Sequence, residues 1–123
     1  MKLNIKKKPR KFLTGIDNKI VINDLGSIKL KSNEQITFKK NNYSYDLKKK
    51  EWGYYVTPST NKRLINSGYK SYLVKNNNNR FYVLLVEKDK EDLFKKYIKK
   101  EKISIVVSLY NIKNILDLKK RIK

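Results

Sequence analysis

An α+β fold is predicted, with N-terminal β-hairpins followed by a β-α-β-β-α-β (ferredoxin-like) unit and a C-terminal amphipathic helix. Three observations predict it. Short β-branched runs with apolar-polar alternation fill residues 19–50 and are separated by Asn or Gly turns. From Trp52 onward such runs alternate with two segments of helical character. The last dozen residues then repeat apolar side chains at helix spacing. A length of 123 residues fits one domain.

Taken in order, residues 1–16 are expected as a basic N-terminal arm, since they hold six basic and no acidic residues. Its "KKKPRK" run also fits a loose import pattern, of the kind that arises often by chance. Residues 17–123 are expected as one domain: a β-hairpin layer over 17–50, a split βαβ unit over 51–109 and a C-terminal helix over 110–123. In the first layer "KIVIN", "SIKLK" and "EQITF" are strands, with "DLGS" (24–27) as a turn. Asn41-Asn42 is a two-residue hairpin turn, because Asn tolerates positive φ.

In the second layer "WGYYV" is a strand. Thr57 offers an N-cap with Pro58 at the first helical position, and Gly68 suits a left-handed C-cap. "YKSYLVK" and "RFYVLLVE" are strands joined by the loop "NNNN" (76–79). "DKEDLFKKYIKKE" (89–101) is a helix, capped by Asp89, with acids in its first turn, Lys in its last and a stripe of Leu93, Phe94, Tyr97 and Ile98. "ISIVVSL" is a strand with Ile103, Ile105, Val107 and Leu109 on one side. The final helix carries Ile112, Ile115, Leu116 and Ile122.

The charge bounds the partner. There are 31 basic and 11 acidic residues, a net charge of +20. An AT-rich genome explains Lys in place of the four Arg, and the absence of Ala. It does not explain why Asp and Glu, with comparably AT-rich codons, lag behind Lys. A polyanion is therefore the expected partner, RNA or DNA first, met through phosphates by point charge and so with weak sequence specificity. An acidic protein, with the chain acting as an assembly subunit, is the first alternative. An accessory role on acidic glycans or nucleotide-sugar phosphates is the second. No apolar run approaches a membrane span and the N-terminus lacks a signal's apolar region, so a cytoplasmic location is expected.

Catalysis is not expected. Without His or Cys the usual proton shuttle, thiol nucleophile and commonest metal ligands are missing. No carboxylate pair has a spacing that demands acid-base or metal chemistry, Asp17 and Asp24 included, and no glycine-rich phosphate loop occurs. No cofactor is implied.

Residues 57–86 hold five basic and no acidic residues. An anion site is expected at the helix start, formed by Thr57, Ser59, Asn61, Lys62 and Arg63, with Lys70 and Arg80 nearby in sequence. Lys6, Lys7, Lys8, Arg10 and Lys11 form the basic arm. The β-α-β-β-α-β order is also the topology of the RNA-recognition motif, where aromatics on the central strands stack bases. Tyr55 and Tyr82 are the candidates for that role, against the blander alternative that they pack within the sheet. "RFYVLLVE" lacks that family's Gly and later aromatics, so the likeness is one of topology. The aromatic group around Trp52 is expected in the core, and Asp46 and Glu51, flanking a Lys run, as surface ion pairs.

Overall fold

The structure, a computed structural model, describes residues 1–121. Eight strands and three helices follow one another as β1 (Lys2–Thr14), β2 (Ile20–Lys29), β3 (Gln35–Lys40), β4 (Tyr43–Lys50), β5 (Gly53–Tyr55), α1 (Arg63–Asn66), β6 (Tyr69–Lys75), β7 (Phe81–Glu87), α2 (Glu91–Lys100), β8 (Ser104–Ser108) and α3 (Ile112–Arg121). They form three antiparallel sheets with strand orders β1-β2, β3-β4-β5 and β7-β6-β8. The fold is therefore α+β, with β-hairpin sheets and a C-terminal helix. Ile122, placed by periodicity on the last helix, lies outside the described residues.

The residues expected as an arm are a strand. Leu3 pairs with Ile28 and Phe12 with Ile22 along a 13-residue β1. The alternation in "KLNI" and "KFLT" is masked by the lysines between them, which is why the segment reads as a tail. "DLGS" is not a turn but part of the continuous strand β2, opposite a bulge in β1: residues 6–9 separate Ile5 from Arg10, where only Leu25 separates their partners Gly26 and Asp24. Gly26 is required there: an added Cβ would fall 2.0 Å from the Asn4 carbonyl oxygen. The hairpin turns instead at residues 15–19, with Gly15 and Asn18 at positive φ. Asn41-Asn42 and "NNNN" do turn their hairpins, through Asn41 at φ +52 and Asn79 at φ +59.

From β5 to β8 the elements run β-α-β-β-α-β in chain order. Their pairing is not that of one sheet, however. β5 bonds to β4, through Lys48↔Tyr55 and Lys49↔Tyr54, and the other three strands form a separate sheet with β6 central. The short turn at residues 51–52 folds β5 back on its predecessor before α1 can carry the chain across.

β6 is where the core sits. Ser71 and Val74 are fully buried and Tyr72 nearly so, which places side chains of both faces of this strand out of water. On one face Tyr72, Val74, Val86 and Phe94 form the central cluster, joined by Leu84, Ile98, Ile103 and Tyr110. Phe94 stacks on Tyr72 with ring centroids 5.2 Å apart. The β7 residues that reach this cluster are Leu84 and Val86, opposite in phase to the equally apolar Phe81, Val83 and Leu85. On β8 a register shift puts Ile105 opposite Val74 but Val107 opposite Leu73, so its apolar residues do not share one side. α2 turns Phe94 and Ile98 inward, whereas Leu93 and Tyr97 stay exposed. Asp89 lies in a 3₁₀ turn and caps nothing, while Asn111 does cap α3, its Oδ1 accepting from the N–H groups of Lys113 and Asn114.

Gly68 joins the sheets. Its φ is +110, as a left-handed helix end requires, and an added Cβ would lie 2.2 Å from Cδ1 of Tyr43 in β4. Gly53 has φ +148 but open space around it. Gly68→Ala is therefore expected to destabilise by about 2 kcal/mol or more, from strain and clash together. Gly53→Ala should cost only the backbone strain, about 1 kcal/mol. Thermal melts of the two variants check the difference, and equal shifts would remove the Tyr43 contact as a constraint.

Candidate nucleic-acid interface

The helix start expected at Thr57-Pro58 lies further along. α1 covers only Arg63–Asn66, and the turn leading into it is organised by Ser59. The Ser59 carbonyl accepts from the N–H groups of Lys62 and Leu64, and its Oγ accepts from Arg63 N–H at 3.0 Å. The N–H groups expected to hold an anion are thus partly used internally, and one turn of helix sums too little dipole to hold one. Thr57 is half-buried before this turn, with Asn61 and Lys62 exposed in it.

Arg63 is already committed. Its Nη2 lies 2.6 Å from Oδ2 of Asp46, whose other oxygen accepts from Thr37 Oγ1 at 2.8 Å. Asp46 is therefore a buried tie between β4 and α1, not the surface partner of the Lys run. Sequence distance hid this, because no acid lies near Arg63 along the chain. Lys70 is committed as well: Nζ is 3.1 Å from Glu91 Oε1 and 5.5 Å from the Tyr110 ring centroid. Tyr72 donates to the same carboxylate, and burial first, then its bonds to Tyr110 and Glu91, push its phenol up from the usual range. Arg80 sits apart, beside the 76–79 loop. Structure thus separates Lys70 and Arg80 from residues 57–63.

On β1, Lys6 and Arg10 converge on Asp24 at 3.0 and 3.5 Å. The Lys6 hydrogen bond, followed by the Gly26 N–H, holds that carboxyl below its ordinary range. Lys7, Lys8 and Lys11 are exposed and make no ion pair among the described residues. Asp17 pairs with Lys100 rather than with Asp24. No helix among the described residues is long and apolar enough to cross a membrane.

A basic and aromatic platform forms instead on the β4-β5 hairpin. The antiparallel register sets Lys48 against Tyr55 and Lys49 against Tyr54. Lys49 Nζ lies 5.0 Å from the Tyr54 centroid and Lys50 Nζ 5.9 Å from that of Tyr55. Trp52, at the turn, meets Tyr55 edge-on at 5.5 Å and is 70% exposed. Tyr54 and Tyr55 are also about half exposed. Trp52 is therefore surface rather than core, at the turn that leads into the three-residue β5. Glu51 is the one acid in the turn. Of the two base-stacking candidates, Tyr55 belongs to this platform and Tyr82 lies on β7, in a different sheet. The signal that could have found the platform is the run "KKKEWGYY", where three lysines precede three aromatics within a hairpin.

Comparison with protein-family models, curated proteins and solved structures returns no match.

Arg63 and Lys62 are neighbours with different roles, and substitution separates them. Arg63→Ala should destabilise by about 1–3 kcal/mol, leaving the buried Asp46 without its cation, with the lower end favoured because Arg63 itself is 61% exposed. Lys62→Ala should change stability by less than about 0.5 kcal/mol. Asp46→Asn in the Arg63→Ala background should recover part of the loss, and denaturant melts of the single and double variants measure that coupling.

Proposed function

We propose that the protein is a non-enzymatic module that binds single-stranded nucleic acid, chiefly through phosphate contacts and with little dependence on sequence. One face of the β4-β5 hairpin carries this reading: the exposed rings of Trp52 and Tyr55 lie beside Lys48 and Lys50, the latter also bonded to Asn33, while Tyr54 and Lys49 occupy the opposite face. Such a surface suits a nucleic-acid strand because any base has a face to stack, while ammonium groups beside the rings meet the backbone. A compact ammonium contacts phosphate without the paired geometry by which Arg reads a base edge, which agrees with weak specificity.

The test is binding of a generic labelled oligonucleotide across a salt series. The logarithm of affinity should fall linearly with the logarithm of salt, by roughly 0.7 per neutralised phosphate on a single strand. Trp52→Ala with Tyr55→Ala should weaken binding by about 1–3 kcal/mol per lost stack. Their exposure means the melting temperature should barely move. Affinity indifferent to salt would end the polyanion reading, and an unaffected double variant would move the site off β4-β5.

A second reading is favoured by a different observation. β1, β2 and β3 enclose an apolar groove of about 300 Å³ lined by Leu3, Ile5, Leu25, Ile28, Ile36 and Phe38. Most of these side chains are well exposed, and exposed apolar patches of this kind mark interaction sites. The strands forming it also carry Lys2, Lys6, Lys29 and Lys39. The occupant this supports is an acidic protein segment with an apolar anchor, for which the chain would be an assembly subunit; at +20, a second copy of the chain would be repelled. Ile5→Asp with Ile28→Asp should leave oligonucleotide affinity within about twofold while abolishing capture of such an acidic segment. Parallel loss of both would show that one surface serves both partners.

A further inference from the structure

The β1-β2 sheet is incomplete. It has only two strands, and no residue of either is buried. A lone pair of strands is marginal in water, yet this one leaves Leu13, Val21, Leu25 and Ile28 exposed. Each strand of such a pair turns the N–H and C=O groups of alternate residues away from its partner. No third strand meets those groups on either edge. Among the described residues, no backbone hydrogen bond from outside the pair reaches residues 2–14 or 20–29.

The two edges are not alike. β1 carries the devices by which sheets refuse a further strand. Residues 6–9 bulge from its ladder, Pro9 has no N–H to give, and five Lys and one Arg stand along it. β2 has none of these. It runs as one strand of ten residues without Pro, and its single Lys is the last of them. Its single acid, Asp24, is already held by Lys6 and Arg10. Of its backbone N–H groups only that of Gly26 is taken by a side chain among the described residues, donating to Asp24 Oδ1 at 3.2 Å. The same strand lines the apolar groove through Leu25, Gly26, Ser27 and Ile28, together with Ile36 and Phe38 of β3. β3 is likewise an edge strand. Consecutive strands joined by so short a connection as residues 30–34 usually pair. Here β2 and β3 do not, and both line one groove instead.

We infer that the acidic segment proposed for the groove binds as an added β-strand on the free edge of β2, its backbone extending that ladder and its apolar side chains entering the groove. Main-chain bonds then supply affinity and the groove selects side chains, as when a peptide extends a sheet elsewhere. Charge selects the rest. β1, the partner of β2, holds six cations and no acid, and the whole chain stands at +20. A strand in which Glu or Asp alternates with Val or Ile is drawn to such a surface, and a basic one is repelled. The inference rests on the acidic-partner reading of the groove and adds which strand is met and by what kind of bond.

The full chain is titrated with a labelled synthetic peptide in which Glu alternates with Val over about ten residues, the length of one strand. A peptide of the same composition, with Glu and Val in separate blocks, controls for charge alone. The alternating peptide should bind about tenfold or more tighter than the block peptide. It is then N-methylated on all its Glu residues or on all its Val residues. Alternate N–H groups of a strand point to opposite edges, so one methylated peptide should lose about tenfold or more and the other should bind nearly as the parent does. Amide hydrogen exchange read by NMR should find alternate amides of β2 exchanging freely in the protein alone and protected in the complex. Equal binding of the two methylated peptides overturns the inference, as does protection that falls on the outward amides of β1 or on none; the groove reading then stands on side-chain contact alone. Equal affinity for a peptide with Lys in place of Glu also overturns it. Protection of the same β2 amides by raised protein concentration, without peptide, gives the edge to a second copy and overturns it too. If no peptide binds at low salt and millimolar concentration, the groove reading falls with it.

Discussion

Burial of both faces of β6 is the constraint on which the rest of this molecule depends. A strand reaches that state only when an element covers each side and a partner strand satisfies each edge. β7 and β8 supply the edges. α2 supplies one cover through Phe94 and Ile98, and α1, which carries the fully buried Leu64, packs against β6 as well. On the other face Ser71 is fully enclosed, its hydroxyl without a partner among the described residues, and Leu73 is half-buried. Few other apolar side chains are lost to water, so outlying strands borrow their position from this sheet rather than from a core of their own.

That economy of core has an electrostatic counterpart. A chain at +20 repels itself, and the cost grows with compactness. Many of the lysines are accordingly carried on hairpins at the periphery, where water screens them. Several of the few acids act as ties: Asp24 on β2 to β1, Asp46 on β4 to α1, Glu87 on β7 to β3, and Glu91 on α2 to β6. Glu101, buried at the end of α2, is a tie of another kind, its Oε1 accepting from Ile16 N–H in the β1-β2 turn.

The sequence shows this division unevenly. Hairpin turns at Asn41-Asn42 and 76–79 were legible, because positive φ at Asn is a local property that tertiary packing rarely overrides. So was α2, whose acids and lysines are ordered along its dipole. The strand β1 was not, since its partner lies across a turn and its lysines hide the alternation. The inward phase of β7 was also hidden: Phe81, Val83 and Leu85 are as apolar as Tyr82, Leu84 and Val86, so only the pairing to Tyr72 and Val74 decides between them. For the site, composition pointed to an anionic partner, while the contact expected at residues 57–63 meets side chains and N–H groups already engaged. Arg63 read as free because Asp46 is 17 residues away, and Trp52 read as core because large rings usually are.

The same pairings determine how firmly the platform is held. β5 pairs with β4, and the β3-β4 hairpin meets the central sheet along a seam of three unequal contacts. Lys40 and Glu87 are joined at 2.7 Å, but the lysine is half exposed and water weakens the pair. The Asp46–Arg63 contact is firmer, because the carboxylate is enclosed and its second oxygen is fixed by Thr37. Firmest is the fit of the Tyr43 ring over Gly68, backed by the edge-on contact with Tyr69 at 5.9 Å and by Ser44 N–H donating to the Ser67 carbonyl. Two of the three contacts act where α1 ends or begins. The four-residue helix is thus explained less by its own stability, which so short a segment lacks in isolation, than by its position as the clamp between sheets. The lysines and rings of "KKKEWGYY" would reach a strand of nucleic acid from a hairpin whose aim is set by that clamp, between eight and eleven residues further along the chain than Tyr55 at its near and far ends.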